Sequence, residues 1–283
     1  MSVSEQIKQA LDGPIRWRRL RWVRENLLGH LALIRRKPRS LASTPRAFLR
    51  PAIWSAAAII VIACTMLFVD AWSVGVAQRL PIWLLAVADE ITDFGRLTWI
   101  LVPAGALLLL IAVLASPALS RMSRGVLAAI AVRLAFLFTA CAPGLVLTIV
   151  KRLIGRGRPL VEGSADPFLY HPLSWNVEYA GLPSGHAANA FAAAVAMGAL
   201  WPRTRPFMWI YATVIALTRV ALTAHFPSDV LAGAFAGIAA ALLVRRWFAA
   251  RRLAFFQDGA GIIHPLPGPS ISRLKRIARQ LLA

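Results

Sequence analysis

Six runs of this chain are apolar and almost free of charge, and no other feature restricts its fold as strongly. They span Ala52–Val69, Leu97–Ser120, Gly125–Val150, Ala187–Pro202, Pro206–Ala224 and Val230–Val244. About 20 apolar residues cross the hydrocarbon core of a bilayer. The fourth run is short and borrows from the Gly-Leu-Pro-Ser-Gly-His segment before it. Backbone amides in hydrocarbon must be hydrogen-bonded within the protein, so runs of this kind form helices. The expected fold class is all-α, an integral membrane bundle of six transmembrane helices with basic cytoplasmic tails. Composition agrees: 58% of the 283 residues are hydrophobic and 16% charged, which disfavours a soluble domain and disorder alike. Cys64 and Cys141 both fall inside apolar runs, giving neither a disulfide framework nor a metal pair, and are expected to be buried fillers.

The formal net charge of +20 would, taken alone, point to nucleic acid. Its distribution points elsewhere. Residues 1–50 carry a net +9 and the tail from Arg245 a net +7. Arg121 with Arg124, and Arg203 with Arg205, add +2 in each of two connections. In a six-span chain all four segments lie on one side, and the positive-inside rule makes that side the cytoplasm. Three parts follow: a basic cytoplasmic N-terminal tail over 1–50, a six-span domain over 51–245 and a basic cytoplasmic C-terminal tail over 246–283. No cleavable signal pattern opens the chain. The N-terminal residues Ile15, Trp17, Leu20, Trp22, Leu27, Leu28 and Leu31 among arginines suit an interfacial helix or a solvated basic tail. Ile271, Leu274, Ile277 and Leu281, interleaved with basic residues, fit a helix on the membrane surface. Arg133, near the start of the third run, is expected to snorkel or to find a partner in the bundle.

The opposite side is nearly neutral but holds Lys151, Arg152, Arg156 and Arg158 against the rule. A functional reason is needed. Three segments converge there: Lys151 through Arg158-Pro159, then Pro183-Ser184-Gly185-His186, then Thr218-Arg219 with His225 and Asp229. Such a set suits phosphoryl transfer. Fixed Lys and Arg donors stabilise the charge on a phosphoryl group's oxygens. Ser184 and Gly185 precede a helix start, whose N–H groups and positive end cradle an anion. Two imidazoles titrating near neutrality can divide attack on phosphorus from protonation of the leaving oxygen. Asp229, four residues after His225, can hold the far ring N–H, and the division implies a covalent phosphohistidine.

Lys-x6-Arg-Pro, Pro-Ser-Gly-His and Ser-Arg-x5-His-x3-Asp are the signature of the type 2 phosphatidic acid phosphatase (PAP2) superfamily, which this chain resembles over roughly residues 50–245. Thr218 stands where Ser is usual, keeping a hydroxyl. The resemblance implies metal-independent dephosphorylation of a lipid phosphate or diphosphate, with His225 as nucleophile, Asp229 its partner and His186 the general acid. It implies that Lys151, Arg158, Ser184, Gly185 and Arg219 bind the phosphate, and that no cofactor is needed. Candidate substrates are undecaprenyl diphosphate, lipid A phosphate, phosphatidylglycerol phosphate and phosphatidate.

Other readings are weaker. Asp89, Glu90 and Asp93 read as solvated acids rather than a metal cluster, and cations around His225 and Asp229 oppose a metal there. A lipid-binding or transporting protein would not need two histidines and a carboxylate. Vanadium haloperoxidases resemble the same motifs but are soluble. Arg152, Arg156, Glu162, Asp166, Tyr170, His171, Trp175 and Glu178 either shape the substrate entrance or simply build the loop. The expected partners are a membrane lipid substrate and the bilayer, with no nucleic acid; oligomeric state is left open. The expected location is a bacterial-type inner membrane, multi-pass, with both termini cytoplasmic and the site periplasmic. A periplasmic reporter fused near Glu162 should therefore be active and one fused near Arg121 silent.

Overall fold

The structure, a computed structural model, describes residues 46–282 and, before them, 22–26, 28–29, 32 and 35–39. Of the N-terminal Arg/Trp-rich stretch, Ile15, Trp17, Leu20, Leu27 and Leu31 lie outside the described residues. Within residues 46–282 ten α-helices follow in order: α1 Arg46–Phe68, α2 Asp70–Ala77, α3 Ile82–Thr92, α4 Thr98–Leu114, α5 Arg121–Cys141, α6 Pro143–Ile154, α7 Gly185–Leu200, α8 Arg205–Ala221, α9 Pro227–Ala250 and α10 Ile271–Leu282. Two short strands, β1 Phe255–Gln257 and β2 Ile263–Pro265, pair antiparallel before α10. The chain is thus mostly helical with one small hairpin.

Four helical stretches among the described residues are long and apolar enough to cross a membrane: Pro51–Phe68, Ile82–Leu114, Arg121–Ile154 and Pro227–Ala250. Their outward faces expose large apolar side chains such as Trp54, Ile59, Phe68, Ile82, Trp83 and Leu243. A surface of that kind is stable against lipid and not against water. This is a membrane protein.

Helix α7 lies at the centre, packed against α9, α8, α5 and α6. Its sequence is mostly Ala and Gly, and most of it is buried by protein. A helix shielded from lipid needs neither bulk nor a full span of apolar residues, which accounts for the short fourth run. Without a hydrophobic drive between helices in lipid, close van der Waals approach supplies the attraction, and small residues permit it. A Cβ added to Gly233 of α9 would fall 2.2 Å from the Ser184 carbonyl oxygen, and one added to Gly237 2.1 Å from that of Ala188. These two glycines let α9 lie directly on the α7 backbone.

Several expected boundaries shift for local reasons. Asp70, the first charge after the first apolar run, opens α2 and is fully buried. The segment between the first two apolar runs, residues 70–96, contains α2 and α3, and α3 runs through a 3₁₀ turn toward α4. The third run breaks between α5 and α6 at Pro143, which lacks an N–H to continue α5. Lys151 lies in the last turn of α6 rather than beyond the span. The sixth run continues past Arg245 and Arg246 to Ala250. Cys141 is buried but Cys64 is exposed, contrary to expectation, because its helix face has no protein neighbour.

The C-terminal tail is more structured than a basic tail. Phe255 of β1 meets Phe136 of α5 edge-on at 4.7 Å between ring centroids. Arg133 donates to the carbonyls of Leu266 and Pro267 at 2.8 and 2.9 Å, so it finds its partners in the tail. Helix α10 buries Ile277 against α5 and leaves Ile271 exposed. Replacing Gly237 by Val should cost about 1–3 kcal/mol by overpacking. Its thermal unfolding midpoint in detergent should fall, whereas Gly75→Ala, where an added methyl meets nothing within 4 Å, should not lower it.

Candidate active site

All three motif segments meet at the N-terminal end of α7. Ser184 occupies the N-cap, Gly185 is the first helical residue and His186 the second. The first N–H groups of a helix have no intrahelical partner, so this end presents free donors and a positive dipole. The Ser184 amide donates to the Asp229 carbonyl at 2.9 Å, which ties the second motif to the third. Asp229 lies in the first turn of α9, and its Oδ2 accepts from the Phe226 amide at 3.0 Å, capping that helix. His225, in the connection between α8 and α9, places Nδ1 3.7 Å from Asp229 Oδ2. That pair is oriented but not closed into a hydrogen bond.

The cations come from the other two segments. Arg219 is in the last turn of α8 and donates to Thr92 Oγ1 at 2.9 Å. Lys151 lies within electrostatic reach of Arg158 and Arg219. His225 feels Arg219 and Arg158, and His186 feels Arg219, His225 and Lys151. Every residue expected from the motifs is therefore in one neighbourhood. The Thr218 hydroxyl is turned away, donating to Ile215 in its own helix at 2.7 Å.

The loop between α6 and α7 folds over this neighbourhood. Gly155 ends α6 with φ of 67°, and a Cβ there would fall 1.9 Å from the His171 carbonyl oxygen. Only glycine meets both conditions without strain. Backbone bonds then hold the loop to itself: His171 N to Gly155 O at 2.7 Å, Arg158 N to Glu178 O at 2.8 Å and Gly181 N to Arg156 O at 2.9 Å. Most of its polar side chains serve the loop. Tyr179 donates to Glu162 at 2.6 Å, Asp166 accepts from the Phe168 amide, Glu178 accepts from Asn176 and Arg152 donates to the Trp175 carbonyl. The acids expected as solvated behave so in part: Asp93 pairs with exposed Arg96 at 2.7 Å. Among the described residues no three His, Cys, Asp or Glu side chains gather as for a metal ion.

Arg156 was legible only as one of several loop cations. It is fully buried and donates to Asp229 at 2.5 Å, Ser228 at 2.7 Å, Asp70 at 2.8 Å and the Pro167 carbonyl at 2.9 Å. Burial works against its charge, but Asp229 and Asp70 outweigh that and hold its pKa above the ordinary guanidinium value. Arg158 differs. Burial, then the charge of Arg152, lowers its pKa, and no carboxylate bonds its buried Nε.

Among the described residues, four buried polar atoms in this neighbourhood have no hydrogen-bond partner: Ser184 Oγ, Arg158 Nε, Arg219 Nε and His225 Nδ1. Buried donors left unpaired are costly and uncommon. Phosphate oxygens match the cationic donors and the hydroxyl in both charge and hydrogen-bonding sense. A lipid-facing helical bundle holding such a cluster has the form of a membrane phosphatase.

Sequence comparison bears this out. Residues 132–253 match the family model described as the PAP2 superfamily. The chain is 34% identical to the lipid A 1-phosphatase of Rhizobium etli over 194 residues, covering 66% of this chain and 82% of that protein. It is 36% identical to the lipid A 1-phosphatase of Rhizobium johnstonii over 118 residues, 42% of this chain and 48% of that one. Among solved structures it resembles the transmembrane PAP2-type phosphatidylglycerolphosphate phosphatase of Bacillus subtilis. There the TM-score is 0.41 at 20% identity, covering 80% of this chain and 95% of that one. The chain belongs to the PAP2 superfamily and is a membrane lipid phosphatase.

His225 yields a pH dependence. Burial, with help from Arg219 and Arg158, holds its imidazole below the ordinary 6.5 despite the opposing pull of Asp229. The folded protein therefore keeps His225 neutral where the unfolded chain takes up a proton. Its stabilising contribution is complete above the unfolded value and is lost as pH falls toward the folded one. The unfolding midpoint should drop on acidification below about pH 6.5, and His225→Gln should flatten that part of the profile.

Proposed function

We propose that this protein removes a phosphate from lipid A or a closely similar lipid at the periplasmic face of a bacterial inner membrane. The observation that carries the catalytic reading is the set of unpartnered buried donors around His225. The lipid A 1-phosphatase relatives favour lipid A over the diphosphate and glycerolipid candidates. Six spans, with both termini cytoplasmic, follow if α7 and α8 cross alongside the four longer stretches. A helix of 16 residues such as α7 can do so because protein rather than lipid surrounds it.

In this reading Lys151, Arg158 and Arg219, with the Ser184 hydroxyl and the N–H groups at Gly185, hold the phosphate oxygens. The Nδ1–H of His225 faces Asp229, which leaves Nε2 free to attack phosphorus. The phosphorus–oxygen bond to the lipid breaks, and protonated His186 gives its proton to the leaving oxygen. A bound phosphate's negative charge favours that protonated form. Neutral His186 then takes a proton from water, the water oxygen attacks phosphorus, the phosphorus–nitrogen bond breaks and phosphate leaves. No metal enters these steps.

The test is phosphate release in detergent micelles from lipid A, phosphatidate, phosphatidylglycerol phosphate and undecaprenyl diphosphate. EDTA should leave the rate intact, lipid A should be turned over fastest, and His225→Ala and His186→Ala should each lose at least about 100-fold. A substantially active His225→Ala would overturn the nucleophile assignment. Lipid binding without phosphate release would mark a carrier instead.

A further inference from the structure

The buried ion network behind the site has a use that the motif residues do not explain. Asp70 on α2, Arg156 in the α6–α7 loop and Ser228 with Asp229 on α9 are all fully buried and bonded to one another. Arg156 is not a phosphate ligand, because its guanidinium is enclosed and bonded to four protein acceptors. It takes Asp229 Oδ1, which leaves Oδ2 for the Phe226 amide and for His225. An arginine alone in that position would cancel the charge of Asp229. Asp70 answers this: its Oδ2 accepts from Arg156 at 2.8 Å and from the Ser228 hydroxyl at 2.5 Å, and its Oδ1 accepts from the Ser228 amide at 3.0 Å. The three charges sum to −1, the charge of Asp229 by itself.

We propose that Asp70 and Arg156 are positioning residues for phosphoryl transfer: Arg156 fixes the Asp229 carboxylate toward His225, and Asp70 balances Arg156 so that Asp229 keeps its negative charge for the reacting imidazole. The inference rests on the reading of His225 as nucleophile. Positive charge grows on that ring as it bonds phosphorus, and a net negative network behind it lowers the cost. The other groups facing His225 are cationic or neutral: Arg219 from α8, Arg158 from the loop, and His186 from α7 with Lys151 near it. Tyr170, from the loop, lies near Asp70, Arg156 and Asp229. The network is thus the counterweight to a cationic pocket.

Asp70→Asn keeps the shape of the side chain and an acceptor for Arg156 but removes the balancing charge. With lipid A in micelles, kcat should fall about 10- to 100-fold, the loss seen when a partner that orients a metal-bound histidine from behind is removed. The acid limb of kcat/KM should move to lower pH, since less negative charge near His225 disfavours its protonated form. Asp70→Asn/Arg156→Gln restores the net charge of −1 while the Gln amide keeps an N–H donor for Asp229, so it should recover most of the loss. A purely structural bridge predicts the reverse, with the acid limb unmoved and the double variant no better than the single. Wild-type kcat and an unmoved acid limb in folded Asp70→Asn would also overturn the proposal. If Asp70→Asn does not accumulate, the double variant decides. Activity within about tenfold of wild type supports charge balance, and its loss or failure to fold counts against it. His225→Ala, measured alongside, separates the two ideas: activity there defeats the nucleophile reading, whereas an inactive His225→Ala with an indifferent Asp70→Asn defeats only this one.

Discussion

The site depends on how closely α9 lies against α7. Gly233 and Gly237 place the α9 backbone on the carbonyls of Ser184 and Ala188, and the Ser184 amide then reaches the Asp229 carbonyl. That one approach joins the helix start bearing His186 to the helix start bearing Asp229. In lipid there is no hydrophobic pressure between helices, so only close packing and polar contacts hold such a junction. The Ala-rich composition of α7 serves the same end. A bulkier helix would be a better span and a worse floor for the site.

Charge is sorted in three layers. The two tails and the connections at Arg121 and Arg203 hold most of the basic residues, the distribution that the positive-inside rule associates with a cytoplasmic face. The site gathers Lys151, Arg158 and Arg219, which repel one another, and the proposed phosphate substrate is the charge that would offset them. Behind the pocket, Asp70 and Asp229 flank Arg156 with all three shielded from solvent. Buried charges survive only when paired and hydrogen-bonded, and every charged group in that third layer is.

Much of this was legible in the sequence. Motif residues carried fixed spacing and distinctive chemistry, and the structure brings Lys151, Arg158, Ser184, Gly185, His186, Arg219, His225 and Asp229 into one neighbourhood. Apolar runs marked most of the spans, although Pro143 and the continuation past Arg245 moved their ends. Asp70 escaped because it reads as an acid that ends an apolar run, and Arg156 stood out only as one of several loop cations, with nothing to say which group it meets. Their partners lie 86 and 73 residues apart along the chain, and no local pattern records such a pairing. Thr218 was read as keeping a hydroxyl donor, but that hydroxyl bonds its own helix.

The sequence by itself determined that the chain enters a membrane, that its backbone is helical and that it carries the chemistry of phosphoryl transfer. Those properties come from residue type and short-range spacing, which a bilayer and a phosphate read directly. Tertiary structure alone decided that Arg156 is sealed behind the site among carboxylates whereas Arg158 keeps an unpartnered guanidinium nitrogen among the described residues. That distinction is one of burial, and burial depends on which distant helices pack together.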